Sequence, residues 1–131
     1  MTVLDTHAWI WWAADPQRLS RRARTAIDGA IQQRRLCVSC ISVWEVATLV
    51  ARGRLDLSID VNDWVGASEA LPFLRFVPID SRIALRSARL PEPFHRDPAD
   101  RIIVATALIL GAELVSKDER MHAYTAIRTV W

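Results

Sequence analysis

Short apolar runs alternate with longer stretches of helical periodicity along the whole chain. Runs with strand character occupy residues 2–5, 36–40, 74–78, 113–116 and 127–131. Between them, apolar positions recur at the spacing of a helix face over about 7–14, 19–33, 42–52, 60–71, 80–89, 98–111 and 118–124. Strand alternating with helix predicts an α/β fold with a parallel sheet covered on both faces. The punctuation agrees: Gly53 and Gly111 stand where helices would end, and Asp60 and Asp80 stand where helices would be capped. Open sheets of this kind bind ligands beyond the carboxyl ends of their strands, the edge on which Asp5 and Asp118 fall.

At 131 residues, 51% hydrophobic and 24% charged, the chain suits one compact domain spanning 1–131, with no repeat or linker. The amino terminus lacks the pattern of a secretory signal. The longest apolar run, from Ile102 to Ala112, is well short of the ~20 residues that cross a bilayer. A soluble cytoplasmic protein is therefore expected. Net charge is +2, and all the basic residues except Lys117 are arginine, which permits phosphate contacts without establishing them. Cys37 and Cys40 form an isolated C-x-x-C without a second pair, and read as small apolar residues of a buried strand rather than a zinc or redox site.

The chemistry lies in four acids, Asp5, Glu45, Asp100 and Asp118, each at a border of an apolar segment. Taken singly, each has a structural explanation. Ser42-Val43-Trp44-Glu45 has the form of a capping box, and Asp97-Pro98-Ala99-Asp100 that of a helix start with Asp97 as the cap. Asp118 could cap the short helix after it, and Thr6 could cap the first helix, leaving Asp5 in want of a partner. Taken together they are different: carboxylates ~4 Å apart repel by roughly 4 kcal/mol at an effective dielectric near 20, so a cluster must take up protons or bind a cation.

The runs Val3-Leu4-Asp5-Thr6-His7-Ala8-Trp9, Ser39-Cys40-Ile41-Ser42-Val43-Trp44-Glu45-Val46-Ala47, Gly53-Arg54-Leu55, His95-Arg96-Asp97-Pro98-Ala99-Asp100-Arg101-Ile102-Ile103-Val104-Ala105-Thr106-Ala107 and Leu114-Val115-Ser116-Lys117-Asp118 occur in this order. Together they resemble a PIN domain of the VapC toxin type over essentially the whole chain. The resemblance implies a three-layer α/β/α sandwich on a five-stranded, mainly parallel sheet. It also implies a Mg²⁺- or Mn²⁺-dependent endoribonuclease, an RNA substrate, a cognate antitoxin and a homodimer. By position, Asp5, Glu45, Asp100 and Asp118 match the family's catalytic and metal-binding acids, with Asp5 and Asp100 as direct ligands. Asp97 matches an auxiliary acid, Thr6 and Ser116 match hydroxyl positions near the metal, and Arg96 and Arg101 are candidate substrate contacts. Ser116 stands where Thr is frequent, and Lys117 is expected to offset part of the charge of Asp118. A metal at such a site makes water more acidic and neutralises charge on the phosphate, so 5′-phosphate and 3′-hydroxyl ends are expected.

His7, His95 and His122 lack metal-ligand spacing; His95 reads as an exposed loop residue and His7 as a packing residue. The arginine clusters at Arg18 to Arg24, Arg34-Arg35 and Arg52-Arg54 suit either a substrate groove or a solvated face. Among six tryptophans, Trp9 and Trp12 share one face of the first helix and Trp11 another, and at least one is expected to serve a partner contact. A phospho-receiver domain would need an acidic pair after its first strand and an acceptor Asp after its third, whereas Asp5-Thr6 supplies only one acid and the third strand ends at Pro78-Ile79-Asp80. The remaining alternatives are a PIN nuclease of RNA processing, or a PIN module that binds RNA or protein without catalysis, which would be expected to lack one of the four acids.

Overall fold

The computed structural model describes all residues from 1 to 131. Five strands, β1 (Thr2–Leu4), β2 (Leu36–Ser39), β3 (Leu74–Val77), β4 (Glu113–Val115) and β5 (Thr129–Val130), form one sheet in the order β3-β2-β1-β4-β5, parallel throughout. Every strand is followed or preceded by helix: α1 (Thr6–Ala14), α2 (Arg21–Gln32), α3 (Cys40–Ala51), α4 (Val61–Glu69), α5 (Ser81–Ala88), α6 (Pro98–Leu110) and α7 (Glu119–Ala123), with a 3₁₀ turn at Pro16–Arg18.

Strand side chains alternate between faces, and the register keeps that alternation aligned across the sheet. Val3 pairs with Cys37 on one side and Leu114 on the other, while Leu4 pairs with Val38 and Val115. Val3, Cys37, Val77 and Leu114 enter one core with Ile83 of α5, Ile103 and Val104 of α6, and Met121 of α7. Leu4, Leu36, Val38 and Val115 enter the other with Trp9 of α1, Ile27 of α2, Val46 of α3 and Trp64 of α4. Two cores on one sheet make the expected three-layer α/β/α sandwich. A strand buried on both faces cannot alternate apolar with polar, which is why β1 and β2 read as short continuous apolar runs.

The chain runs outward from β1 through β2 to β3, then returns to the other side of β1 to form β4 and β5. The strand order therefore reverses at the β1–β4 pair, and the loops leaving these two strands diverge to opposite faces, opening a crevice at their carboxyl ends. Asp5 and Ser116 are the first residues of those two loops.

Three local expectations change. The strand containing Cys37 ends at Ser39, so Cys40 begins α3 and is half-exposed rather than a strand residue. Ser39, not Ser42, caps α3, its hydroxyl accepting from the Ile41 amide at 3.2 Å. At the first helix, Asp5 rather than Thr6 is the cap, accepting from the Ala8 amide at 2.8 Å. Gly111 ends α6 in the left-handed region at φ 61°, as the sequence predicts.

Candidate functional site

Asp5, Glu45, Asp100 and Asp118 come from four separate segments and line one cavity of about 570 Å³ at the carboxyl edge of the sheet, together with Thr6 and Asp97. Each is delivered by a different device. Asp5 is fixed where β1 turns into α1, with its backbone amide bonded to the Val115 carbonyl of β4 at 3.1 Å. Because α3 starts at Cys40, Glu45 falls in the second turn, away from the helix amides. It receives the Thr6 hydroxyl at 2.5 Å, and Thr6 also shares a hydrogen bond with the buried Ser42 hydroxyl at 2.8 Å. The capping-box reading of Ser42 and Glu45 is thus replaced by a bridge between α3 and α1. Asp97 caps α6 through the Asp100 amide at 3.0 Å, which places Asp100 in the first turn facing the cavity. Asp118 caps α7 through the Arg120 amide at 2.8 Å.

Three of the four acids are held above the ordinary carboxylate range. Burial raises Asp5, which is 8% exposed, against the opposing pull of the Ser116 hydroxyl and the Ala8 amide. Burial likewise raises Glu45, opposed by the Thr6 hydroxyl, and Asp100, opposed by His95. Negative charge adds to each: Asp100 acts on Asp5 and Glu45, and Asp97 and Asp118 act on Asp100. Asp118 is the exception, held below the usual range by its hydrogen bonds with Arg120. The cluster thus carries a shortage of positive charge on the side of Asp5, Glu45 and Asp100.

The donor set is all oxygen and suits a hard divalent cation. No three of the His, Cys, Asp and Glu side chains are gathered closely enough to hold a metal ion together. An open arrangement is compatible with Mg²⁺, which keeps several waters and takes one or two protein carboxylates.

Of the other candidates, Ser116 is fully buried, and its hydroxyl accepts from the Asp118 amide at 3.1 Å, tying the two loop residues together. Arg101 does not face the cavity: its guanidinium donates to the carbonyls of Ser87, Phe94 and His95, holding the loop before α6. Arg96 also lies outside the cavity, beside Arg101, Glu92 and Phe94. His95 is not an exposed loop residue; its Nε2 lies 2.6 Å from Asp100 Oδ2, with the side chain 19% exposed. Lys117 does not offset Asp118, since its Nζ lies over the Trp11 ring, 5.9 Å from the centroid. The cation on Asp118 is Arg120, which sequence reasoning missed. Its guanidinium donates from Nε to Oδ1 at 3.2 Å and from Nη2 to Oδ2 at 2.8 Å. The available signal was the D-x-R spacing at a helix cap, which lets an arginine fold back over the capping carboxylate.

A second hollow, of about 640 Å³, opens at the opposite edge of the sheet, lined by Met1, Thr2, Gly29 and Gly111 among others. Its one carboxylate, Glu113, is met by Arg128 at 3.6 Å, so it holds no comparable cluster.

The comparisons with known proteins agree with this geometry. The family profile of the PIN domain matches residues 2–127. Ribonuclease VapC22 of Mycobacterium tuberculosis is 40% identical over 131 residues, covering 98% of this chain and 97% of that protein. Among solved structures, VapBC2 from Rickettsia felis bound to a DNA fragment from their promoter superimposes with a TM-score of 0.72 at 10% identity, covering 98% of this chain and 97% of that one. FitAcB from Neisseria gonorrhoeae gives 0.69 at 23% identity, covering 98% and 96%. At such identities the two structures speak for the fold, whereas the profile and the full-length relative speak for descent: the chain belongs to the PIN-domain family, in its VapC-type branch.

Proposed function

We propose that the chain is a Mg²⁺- or Mn²⁺-dependent endoribonuclease and the toxin of a toxin–antitoxin pair. The observation that carries this reading is the meeting of Asp5, Glu45, Asp100 and Asp118 in one cavity at the point where the strand order reverses. The full-length similarity to a ribonuclease supports it. The likeness to toxin–antitoxin complexes supports a protein antitoxin as partner. A homodimer, a cytoplasmic location and action of residues 1–131 as one domain belong to the same reading; no helix is long and apolar enough to cross a membrane.

In this mechanism Asp5 and Asp100 would hold the cation directly, and Glu45 and Asp118 would hold it through water or hold a second ion. When bound, the cation supplies charge that neutralises the scissile phosphate and makes water more acidic. The chain's own residues do the rest. The Ala8 amide fixes one oxygen of Asp5, and His95 fixes Oδ2 of Asp100, which aims the remaining oxygens of both acids. Thr6 fixes Oε1 of Glu45, and an acid held above the usual range by burial is suited to accept the proton that an attacking water gives up. The hydroxyl of Thr6, which lines the cavity, and that of Ser116, which is fully buried, are engaged in holding acids and backbone, so water is the nucleophile and the ends are 5′-phosphate and 3′-hydroxyl. Asp97 stays at its helix cap and adds negative charge.

Incubation of purified, antitoxin-free protein with total RNA and Mg²⁺ or Mn²⁺ tests this. Cuts at a few sites, with 5′-phosphate ends, lost in EDTA and reduced by about 10³-fold or more in Asp5→Asn, are expected. Cleavage that survives both EDTA and Asp5→Asn would assign the activity elsewhere, and no cleavage by folded, metal-loaded protein would favour a binding module.

A further inference from the structure

Of the two basic side chains Lys117 and Arg120 that line the cavity, Arg120 is the one bonded to its acids. Its guanidinium grips Asp118 through two bonds and reaches Asp100 Oδ2 at 3.7 Å, the same oxygen that His95 holds. The side chain is nevertheless 61% exposed, and it rises from α7, a helix of five residues. An exposed guanidinium exchanges partners readily, and a divalent ion outbids it for carboxylates because it brings twice the charge in a smaller volume. Arg120 also has somewhere to go. It forms the wall between the acid cavity and an adjoining hollow of about 440 Å³ lined by Phe94, His95 and Tyr124.

Resting on the nuclease reading, we propose that Arg120 is a two-position residue: it occupies the acids when no divalent ion is bound, and on metal binding it turns outward to hold a backbone phosphate of the RNA strand beside the acid cavity. In the first position it stands in for part of the missing positive charge and competes with the metal. In the second it supplies the planar, two-pronged contact that arginine makes with phosphate. The nearby candidates Arg96 and Arg101 lie outside the cavity, which leaves Arg120 and Lys117 as its lining cations. Lys117 is turned toward Trp11.

The two positions make a signature that a merely structural role would not produce. In Arg120→Gln, Mn²⁺ binding, read from the free-ion signal in electron paramagnetic resonance, is expected to tighten by about tenfold, because the competing charge is gone. Binding of a short fluorescent single-stranded RNA to the same variant in Mn²⁺, on a Glu45→Gln background that keeps the direct ligands Asp5 and Asp100 and lacks the proton acceptor, is expected to weaken. The slope of log K against log salt should fall by about 0.7 for the lost phosphate contact. Arg120→Lys keeps the charge and is expected to retain the salt slope while gripping Asp118 less well. Circular dichroism verifies that each variant is folded. Mn²⁺ affinity that is unchanged or weaker in Arg120→Gln overturns the competition, and an unchanged salt slope overturns the phosphate contact. Absence of Mn²⁺ binding by both the unaltered chain and Arg120→Gln sinks the metal-nuclease reading itself, and this inference with it.

Discussion

Asp5 is under two opposed demands. As the cap of α1 and a member of the acid cluster it works best ionised, while its burial favours the protonated form. Asp5→Asn keeps a capping oxygen for the Ala8 amide and removes the buried charge, so it should lose cleavage while melting no lower than the unaltered chain in metal-free buffer. A large fall in melting temperature would instead mean that Asp5 is chiefly structural. Thr6 separates the same two roles differently. Its hydroxyl satisfies both Glu45 and the fully buried Ser42. Thr6→Val preserves shape but strips both of a partner, at a cost of about 1–3 kcal/mol in denaturant unfolding. Cleavage is expected to drop by roughly tenfold, because Glu45 is no longer aimed. Loss of stability without loss of rate would remove Thr6 from the site.

At the scale of elements, the site depends on where strands stop and helices start, and this is only partly legible in the sequence. The alternation of apolar runs reveals five strands and seven helices because buried parallel strands are apolar on both faces and the helices keep their own period. The acids are legible because each borders an element. Their supports are not: Thr6 and Glu45 are 39 residues apart, and His95 meets Asp100 only because Arg101 ties down the loop between α5 and α6. The start of α3 shows why local pattern misleads. Two serines three residues apart both suit a cap, and the pairing of β2 with β3 as far as Ser39 selects the earlier one. That choice releases Glu45 from backbone duty and turns it to the cavity. The opposite ends of the helices carry no such role. Gly111 sits at φ 61° with open space around its missing Cβ, so Gly111→Ala costs backbone strain alone. About 1 kcal/mol, or roughly 3–5 °C in Tm, is expected, with cleavage unchanged. A variant that lost activity at unchanged stability would show that the end of α6 communicates with its beginning.

Over the whole molecule, the acid cluster makes stability depend on pH and on metal in a linked way. Asp5, Glu45 and Asp100 have folded values above their unfolded ones, so between the two the native state binds more protons than the unfolded chain. Their favourable contribution is present below the unfolded values and is lost as pH rises through the raised folded ones. Asp118 has the opposite sign: its folded value is depressed, and the stability it gives with Arg120 is lost as pH falls through that value. Metal-free protein should therefore melt higher at mildly acid pH than at neutral pH, and lose stability again only in stronger acid. On the metal-nuclease reading, a divalent ion at the same acids would replace the missing protons. Mn²⁺ at about 100 times its dissociation constant should add about 2.7 kcal/mol at neutral pH. The gain should shrink as acid protonates the ligands, flattening the pH dependence. Calorimetric scans from acid to neutral pH, with Mn²⁺ and with EDTA, check both halves. A metal-free Tm that rises steadily toward neutral pH would mean that the three acids are compensated by something other than protons, and a Mn²⁺ gain independent of pH would place the ion away from them.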